Sequence, residues 1–269
     1  MSGAESAVVS TGWDPDGFER AFPSTRAYGL RPRSRMHAPL AELGPLGRVW
    51  DEGGAVTAEL PARGASLADL AALARTVSGL VDAVVLREPA PVSGAEPAPS
   101  YAAAVLADIV PVVVVVSGRD RNRVALEGEV AALADGGATA ILVDVAGASG
   151  GGVGDIAEDH LTALARRAGA VVAVAADPLR PREARRVRLL ARAGAHVCVA
   201  APVAAGERSA FAREVAEEGG PRLVVDASSP HPVTLDTAAL PGFAGFHVPA
   251  PADPAMLVTA ARRAREVLS

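Results

Sequence analysis

Three ionisable side chains stand in runs that are otherwise apolar. Glu59 lies in AVTAEL (55–60) just before Pro61, Asp144 interrupts AILVDVA, and His247 sits in GFHVPA. A carboxylate or imidazole in such a place is either tied down by a neighbour or used to move protons. Partial burial would raise the pKa of Glu59 and suit it to proton donation; the competing reading is a carboxylate tied to a nearby arginine. Asp144 reads as a second acid or base, or as a group satisfied by loop amides or an arginine. His247 reads equally as a packed, hydrogen-bonded ring. The loop GASGGGVGD offers backbone N–H groups to a phosphate, but it lacks Lys-Ser/Thr and dinucleotide spacing, and a plain loop is the simpler reading. An acidic ring of Glu59, Glu88, Asp120, Asp144, Asp177 and Asp226 would suit a hard cation, yet no local metal-ligand spacing supports one, so no metal is expected.

These residues need elements to position them. The chain has 269 residues, half of them hydrophobic, only 3% aromatic, with formal net charge −5. Such material builds a large aliphatic core, and the acidic balance without a basic, aromatic-interleaved patch argues against nucleic acid. The single cysteine, Cys198, excludes a disulfide within the chain and fits a reducing cytoplasm. The N-terminus lacks the pattern of a signal peptide, and no apolar stretch has the length to span a bilayer. Residues 1–50, rich in proline and arginine, show no clear period and are expected as an irregular N-terminal extension to a domain at 51–269.

From residue 55 onward, short β-branched runs alternate with helical Ala/Leu/Arg segments. Strands are expected at 55–60, 82–87, 111–117, 139–145, 170–176, 195–200, 222–226 and 243–248. Helices are expected at 66–79, 100–108, 121–135, 155–168, 181–193, 207–218 and 253–268, with a weak one near 234–239. Strands apolar on both faces and joined by helices make a parallel sheet covered on both sides. Eight units favour a single (β/α)8 TIM barrel of the α/β class over an open sheet. In such a barrel the strand C-termini carry the site. Polar groups there are Glu59, Arg87, Glu88, Ser117, Arg119, Asp120, Asp144, Asp177, Asp226, Ser228, Ser229 and His247.

The most distinctive stretch is 111–136, PVVVVVSGRDRNRVALEGEVAALADG. Its SGRDRNRVAL, followed by a helix and the GATAILV strand, resembles the methylenetetrahydrofolate reductase family, in which a strand ends at a T-C-R-D-R-N-R-like motif. Arg119, Asp120, Arg121, Asn122 and Arg123 match it. AELPARG (58–64), VDAVVLRE, VAVAADP (172–178), LLARAGAHVCVAAPV (189–203) and GFAGFHVPAP follow in the family's order, so the resemblance spans 55–269. It implies reduction of methylene-tetrahydrofolate to methyl-tetrahydrofolate, with FAD at the barrel mouth, NADH or NADPH as reductant, and Glu59 as proton donor.

Joined with the strand-end residues, the expected site has Glu59, Asp120 and Asp144 as catalytic groups. Ser117, Arg119, Asn122 and Asp177 would hold the cofactor, and Glu88 and His247 would meet the substrate. The family's polar flavin and substrate ligands fall here at Val115, Gly147, Leu190, Ala200 and Ala201. Two expectations follow: a divergent reductase, or a silent or repurposed homologue without the usual FAD binding. The second would act as a partner or regulatory subunit or on another small molecule. Expected partners are a folate-like ligand and a second copy or another reductase subunit, with neither nucleic acid nor membrane.

Overall fold

The computed structural model describes residues 39–62, 64–87, 97–118, 121–144, 156–217, 219–227, 235–251 and 253–269, all within the unit Arg31–Ser269. Eight strands form one closed parallel barrel in chain order. They are β1 (Ala55–Glu59), β2 (Ala83–Arg87), β3 (Val112–Val116), β4 (Ala140–Val143), β5 (Val171–Ala176), β6 (Val197–Ala200), β7 (Arg222–Asp226) and β8 (Phe243–Val248). A helix follows each: α2 (Leu67–Val77), α3 (Pro99–Leu106), α4 (Arg123–Asp135), α5 (Glu158–Arg167), α6 (Glu183–Ala193), α7 (Ala205–Ala216), the short α8 (Leu235–Ala238) and α9 (Pro254–Leu268). The (β/α)8 barrel expected from the sequence is therefore the fold. No helix among the described residues is long and apolar enough to cross a membrane.

Local chemistry sets the element boundaries. Ser66 and Asp69 form a reciprocal capping box at the start of α2, each side chain taking the other's backbone N–H, which satisfies donors a helix start otherwise leaves unpaired. The barrel closes between β1 and β8, where Ala55 pairs with Gly245. Gly245 has φ +152° and a Cβ there would lie 2.1 Å from the Ala55 carbonyl oxygen, so only glycine fits. At the N-terminal ends of the strands, Asp82 accepts from the Val56 amide at 2.8 Å and from Arg265 of α9 at 2.7 Å. Arg265 also donates to the carbonyls of Leu80 and Gly54, so one guanidinium pins the last helix to the first strand.

Successive strand residues face alternately inward and outward. The lower interior is wholly apolar: Ala55, Ala83, Val113, Ala140, Val171 and Val197 cluster with Ala244. Leu46 and Trp50, 1% and 2% exposed, pack into the same cluster. They come from α1 (Pro45–Glu52), preceded by a 3-10 turn at Leu40–Leu43. The sequence reading expected no period in residues 1–50, whereas 40–52 are helical and plug the barrel's lower end. The helix is too short to display a repeating stripe. Its entry depends on proline at the first turn and on Gly47, where a Cβ would meet the Leu40 carbonyl oxygen at 2.3 Å.

His196, just before β6, accepts a hydrogen bond from the Val172 amide through Nδ1 at 3.0 Å. Burial, and secondarily the positive charge of Arg166, push its pKa from 6.5 down to about 4. A depressed folded-state pKa contributes stability that is present above the unfolded value and lost as pH falls through the folded one. Urea unfolding of the wild type should therefore lose about 2–3 kcal/mol on this account between pH 7 and pH 4. In His196→Asn, which keeps an acceptor for the amide, that part of the acid limb should be missing. Parallel pH curves for the two proteins would refute the assignment.

Candidate active site

Continuing the inward-facing series by one step turns the barrel's lining from apolar to polar. After Ala55 and Thr57 comes Glu59; after Ala83 and Val85 comes Arg87; after Ala140 and Leu142 comes Asp144; after Val224 comes Asp226, with His247 opposite it in register. These five side chains line one cavity of about 430 Å³ at the C-terminal mouth. Asp177 and Arg180, from the loop after β5, join them on one side. The remaining wall is apolar, made chiefly by Leu142, Ala175, Val199 and Ala201.

Arg87 is the hub. Its Nε donates to both oxygens of Glu59, at 3.2 and 3.3 Å, and its Nη1 donates to Asp144 Oδ2 at 2.5 Å. One guanidinium on β2 thus ties β1 to β4 across the mouth, a geometry suited to the planar fork of arginine. Glu59 also faces His247, whose Nε2 lies 3.7 Å from Oε2. The other ring nitrogen, Nδ1, lies 3.1 Å from the buried hydroxyl of Thr57. A Thr57 hydroxyl donating to Nδ1 leaves the ring proton on Nε2, directed at Glu59.

Burial alone raises the pKa of Glu59, as the sequence reading expected. The His247 ring beside it and the charge of Arg87 together outweigh it, and the net shift is downward from 4.5. Glu59 is therefore ionised at neutral pH in the free protein, its shift opposite in direction to the raised pKa expected. The reading of a carboxylate tied to an arginine describes its surroundings, and the same holds for Asp144.

The loop after β5 is held from behind by an ion cluster. Glu183 Oε1 accepts from the Asp177 amide at 2.9 Å, and Arg186 bridges Glu183, Glu158 and the Ala175 carbonyl. Burial pushes the pKa of Glu158 up, whereas at Glu183 Arg186 overcomes burial and holds it down. Asp177 Oδ1 accepts from the Leu179 amide, a tight turn that delivers Arg180 to the rim.

Of the residues expected from the sequence, the structure brings Glu59, Arg87, Asp144, Asp177, Asp226 and His247 into one cavity. Ser117 follows β3 but is not among the residues lining that cavity. Asn122 caps α4, accepting from the Ala125 amide at 2.9 Å. Glu88, Arg119, Asp120, Ser228, Ser229 and the loop GASGGGVGD lie outside the described residues. Among described residues, no group of three or more His, Cys, Asp and Glu could hold a metal. Cys198 is buried and its thiol is pushed up to about 12, so it is not a nucleophile at neutral pH. Thr57 and Arg180 were missed by sequence reasoning. Thr57 shares the inward parity of Glu59 and was in principle visible; nothing in PLRPRE marked Arg180.

No family model matches the chain, and no curated protein matches it. Solved structures do share its fold. Tryptophan synthase from M. tuberculosis is 13% identical, with a TM-score of 0.62 over 84% of this chain and 99% of the other. A 2,3-dimethylmalate lyase of the PEP mutase/isocitrate lyase superfamily is 14% identical, with a TM-score of 0.57 over 81% and 84%. Orotidine 5′-monophosphate decarboxylase from Methanocaldococcus jannaschii is 10% identical, with a TM-score of 0.55 over 79% and 97%. At such identities the likeness is one of fold, the (β/α)8 barrel.

These findings overturn the resemblance to methylenetetrahydrofolate reductase, and with it folate reduction as the expected activity. The motif that suggested it has a local explanation. Asn122 is a helix cap, Arg121 pairs with Glu129, and Arg123 pairs with Glu127 one turn along α4. FAD and NAD(P)H were expected only through that family and lose its support.

Removing Arg87 leaves two mostly buried carboxylates without their shared cation. Arg87→Leu should destabilise the protein by about 1–3 kcal/mol at pH 7, a range reduced because the arginine side chain is 42% exposed. Wild-type Glu59, with its lowered pKa, contributes stability above 4.5 that is lost as pH falls. In the variant burial is no longer opposed by Arg87, so the Glu59 pKa rises and the gap between the two proteins should narrow as pH falls from 7 to 4. A gap that stays constant in urea titrations at pH 7 and pH 4 would contradict the ion-pair account.

Proposed function

We propose that this barrel is an enzyme that moves a proton on a small organic molecule held in its mouth. The observation that carries the reading is the connected series Thr57–His247–Glu59–Arg87–Asp144, drawn from four strands and opening into one cavity. Glu59 is ionised and serves as the proton acceptor. His247 faces its Oε2 and, oriented by Thr57, stabilises the carboxylate before transfer. Arg87 fixes the position of Glu59 and Asp144 so that both keep their orientation while a ligand enters. The cavity is large enough for a small metabolite, and its apolar wall lowers the water content around the reacting bond. The barrel neighbours are named as a synthase, a lyase and a decarboxylase, which supports an enzymatic reading by analogy of fold.

Proton abstraction leaves a trace even without knowledge of the product. The full chain is incubated with a mixture of small metabolites in D2O, and deuterium entering carbon positions is followed by NMR and mass spectrometry. The expected result is exchange or conversion of a small set of compounds, reduced by at least about 100-fold in Glu59→Gln. Exchange as fast in Glu59→Gln, or no compound exchanged or consumed by the wild type, would overturn the proposal.

A further inference from the structure

We infer that the mouth holds a small organic acid, its carboxylate seated on Arg180 and its carbon chain lying along the apolar wall. The inference rests on the mouth being the working site, and it adds a substrate class and the residue that selects it. Three observations carry it: where Arg180 stands, what its guanidinium lacks, and how its turn is held.

Arg180 lines the same cavity as Glu59. It follows β5, and β5 stands four strands from β1 in either direction around the barrel, so the two residues come from opposite sides of the mouth. The apolar wall of Leu142, Ala175, Val199 and Ala201 comes from β4 to β6 and their ends, on the Arg180 side. The other charged groups of the lining are already engaged. Arg87 donates to Glu59 and Asp144, Asp177 Oδ1 accepts from the Leu179 amide, and Asp226 has a partner of its own. The exposed Arg180 guanidinium makes no hydrogen bond or ion pair with any described residue. Its charge acts on Glu183 behind the turn, and its N–H donors stay open to a ligand.

The turn that carries Arg180 is fixed at both ends. The Arg180 amide donates to the Asp177 carbonyl at 2.9 Å, and the Glu183 amide donates to the Arg180 carbonyl at 3.2 Å. The Asp177 amide donates to Glu183 Oε1 at 2.9 Å, and Glu183 is buried and gripped by Arg186. Two residues beyond Arg180, Arg182 has φ 62°, and among the described residues it is the only non-glycine residue with positive φ. Left-handed backbone is strained for a residue with a Cβ and persists where the surrounding structure imposes it. The chain accepts that strain beside the guanidinium that is left open. A backbone held this firmly leaves only the side chain to be ordered on binding. The planar fork of arginine takes both oxygens of a carboxylate, and the hydrocarbon of the acid then rests on the wall beside it and extends toward Glu59.

Three probes of equal chain length test the inference on the full protein: pentanoate, 1-pentanol and pentylamine, each titrated by isothermal calorimetry. Pentanoate should bind at least about tenfold more tightly than the uncharged alcohol and more tightly than the amine, with an affinity that falls as salt is added. In Arg180→Leu, pentanoate should fall to the affinity of 1-pentanol, while the melting temperature and the affinity for 1-pentanol stay unchanged. The comparison of the three probes stands on the wild type alone if that variant fails to fold. Pentanoate no tighter than the alcohol, an amine as tight as pentanoate, a pentanoate affinity unchanged in a folded Arg180→Leu, or binding of no probe would each overturn the assignment. The deuterium experiment is independent of it. Glu59-dependent exchange confined to uncharged or cationic metabolites keeps the working site and removes the acid, whereas Arg180-dependent binding of pentanoate without any exchange does the reverse.

Discussion

Alternate residues of all eight strands share one narrow axis, and what fills that axis decides everything else about the molecule. Below, it is filled by alanine and valine and sealed by Leu46 and Trp50 of α1. An aromatic ring of that size removes a large apolar area from water, and it closes an end that small interior side chains would leave underpacked. Above, the same inward-facing series meets Glu59, Arg87, Asp144, Asp226 and His247. Charges are tolerated there because the mouth is partly hydrated and because the closest of them are paired. Placed one inward step lower, the same groups would be desolvated without compensation.

Arg87 makes the polar tier compatible with a stable barrel. Two carboxylates on strands three apart would repel one another across the mouth if left alone. The guanidinium between them converts that repulsion into a cross-link. Because Arg87 is on β2 and reaches both β1 and β4, the cross-link spans β3, which places no charged side chain of its own in the cavity. The opposite side of the mouth is braced differently. There Glu183 and Arg186 hold the β5 terminus through the Ala175 carbonyl and the Asp177 amide, outside the cavity, so the wall facing inward stays apolar.

How much of this could be read in the chain follows from the range of each interaction. Strand and helix positions depend on local period, and the eight strand positions were legible to within two residues. Glu59, Asp144 and His247 stood out because an ionisable residue in an apolar run breaks the pattern. Their partnership with Arg87 was not legible, because Glu59 and Arg87 are 28 residues apart and Arg87 and Asp144 57. Without partners, the direction of the Glu59 pKa came out reversed: burial can be guessed from neighbours in sequence, but charge compensation cannot. The α1 plug was missed because eight residues between Gly44 and Gly53 carry too little period to register. RDRNR misled for the opposite reason. Residue types that cap a helix and pair along its first turns recur wherever a strand feeds a helix, so their likeness to a family motif carried less information than its length suggested.

The polar chain at the mouth is graded from dry to wet. Thr57 is 2% exposed and belongs to the tier beneath the charges, the one polar side chain of β1 below Glu59. His247, 4% exposed, lies above it, then Glu59, and finally Arg87 with much of its side chain in water. Solvent reaches this series on the Arg87 side, because the other end terminates at a hydroxyl enclosed by the barrel. The buried end fixes geometry, since Thr57 can rotate only between Nδ1 of His247 and the Phe246 carbonyl. The hydrated end allows exchange. The step from Thr57 to Glu59, two residues along one strand, is where the barrel passes from its enclosed tier to its hydrated one.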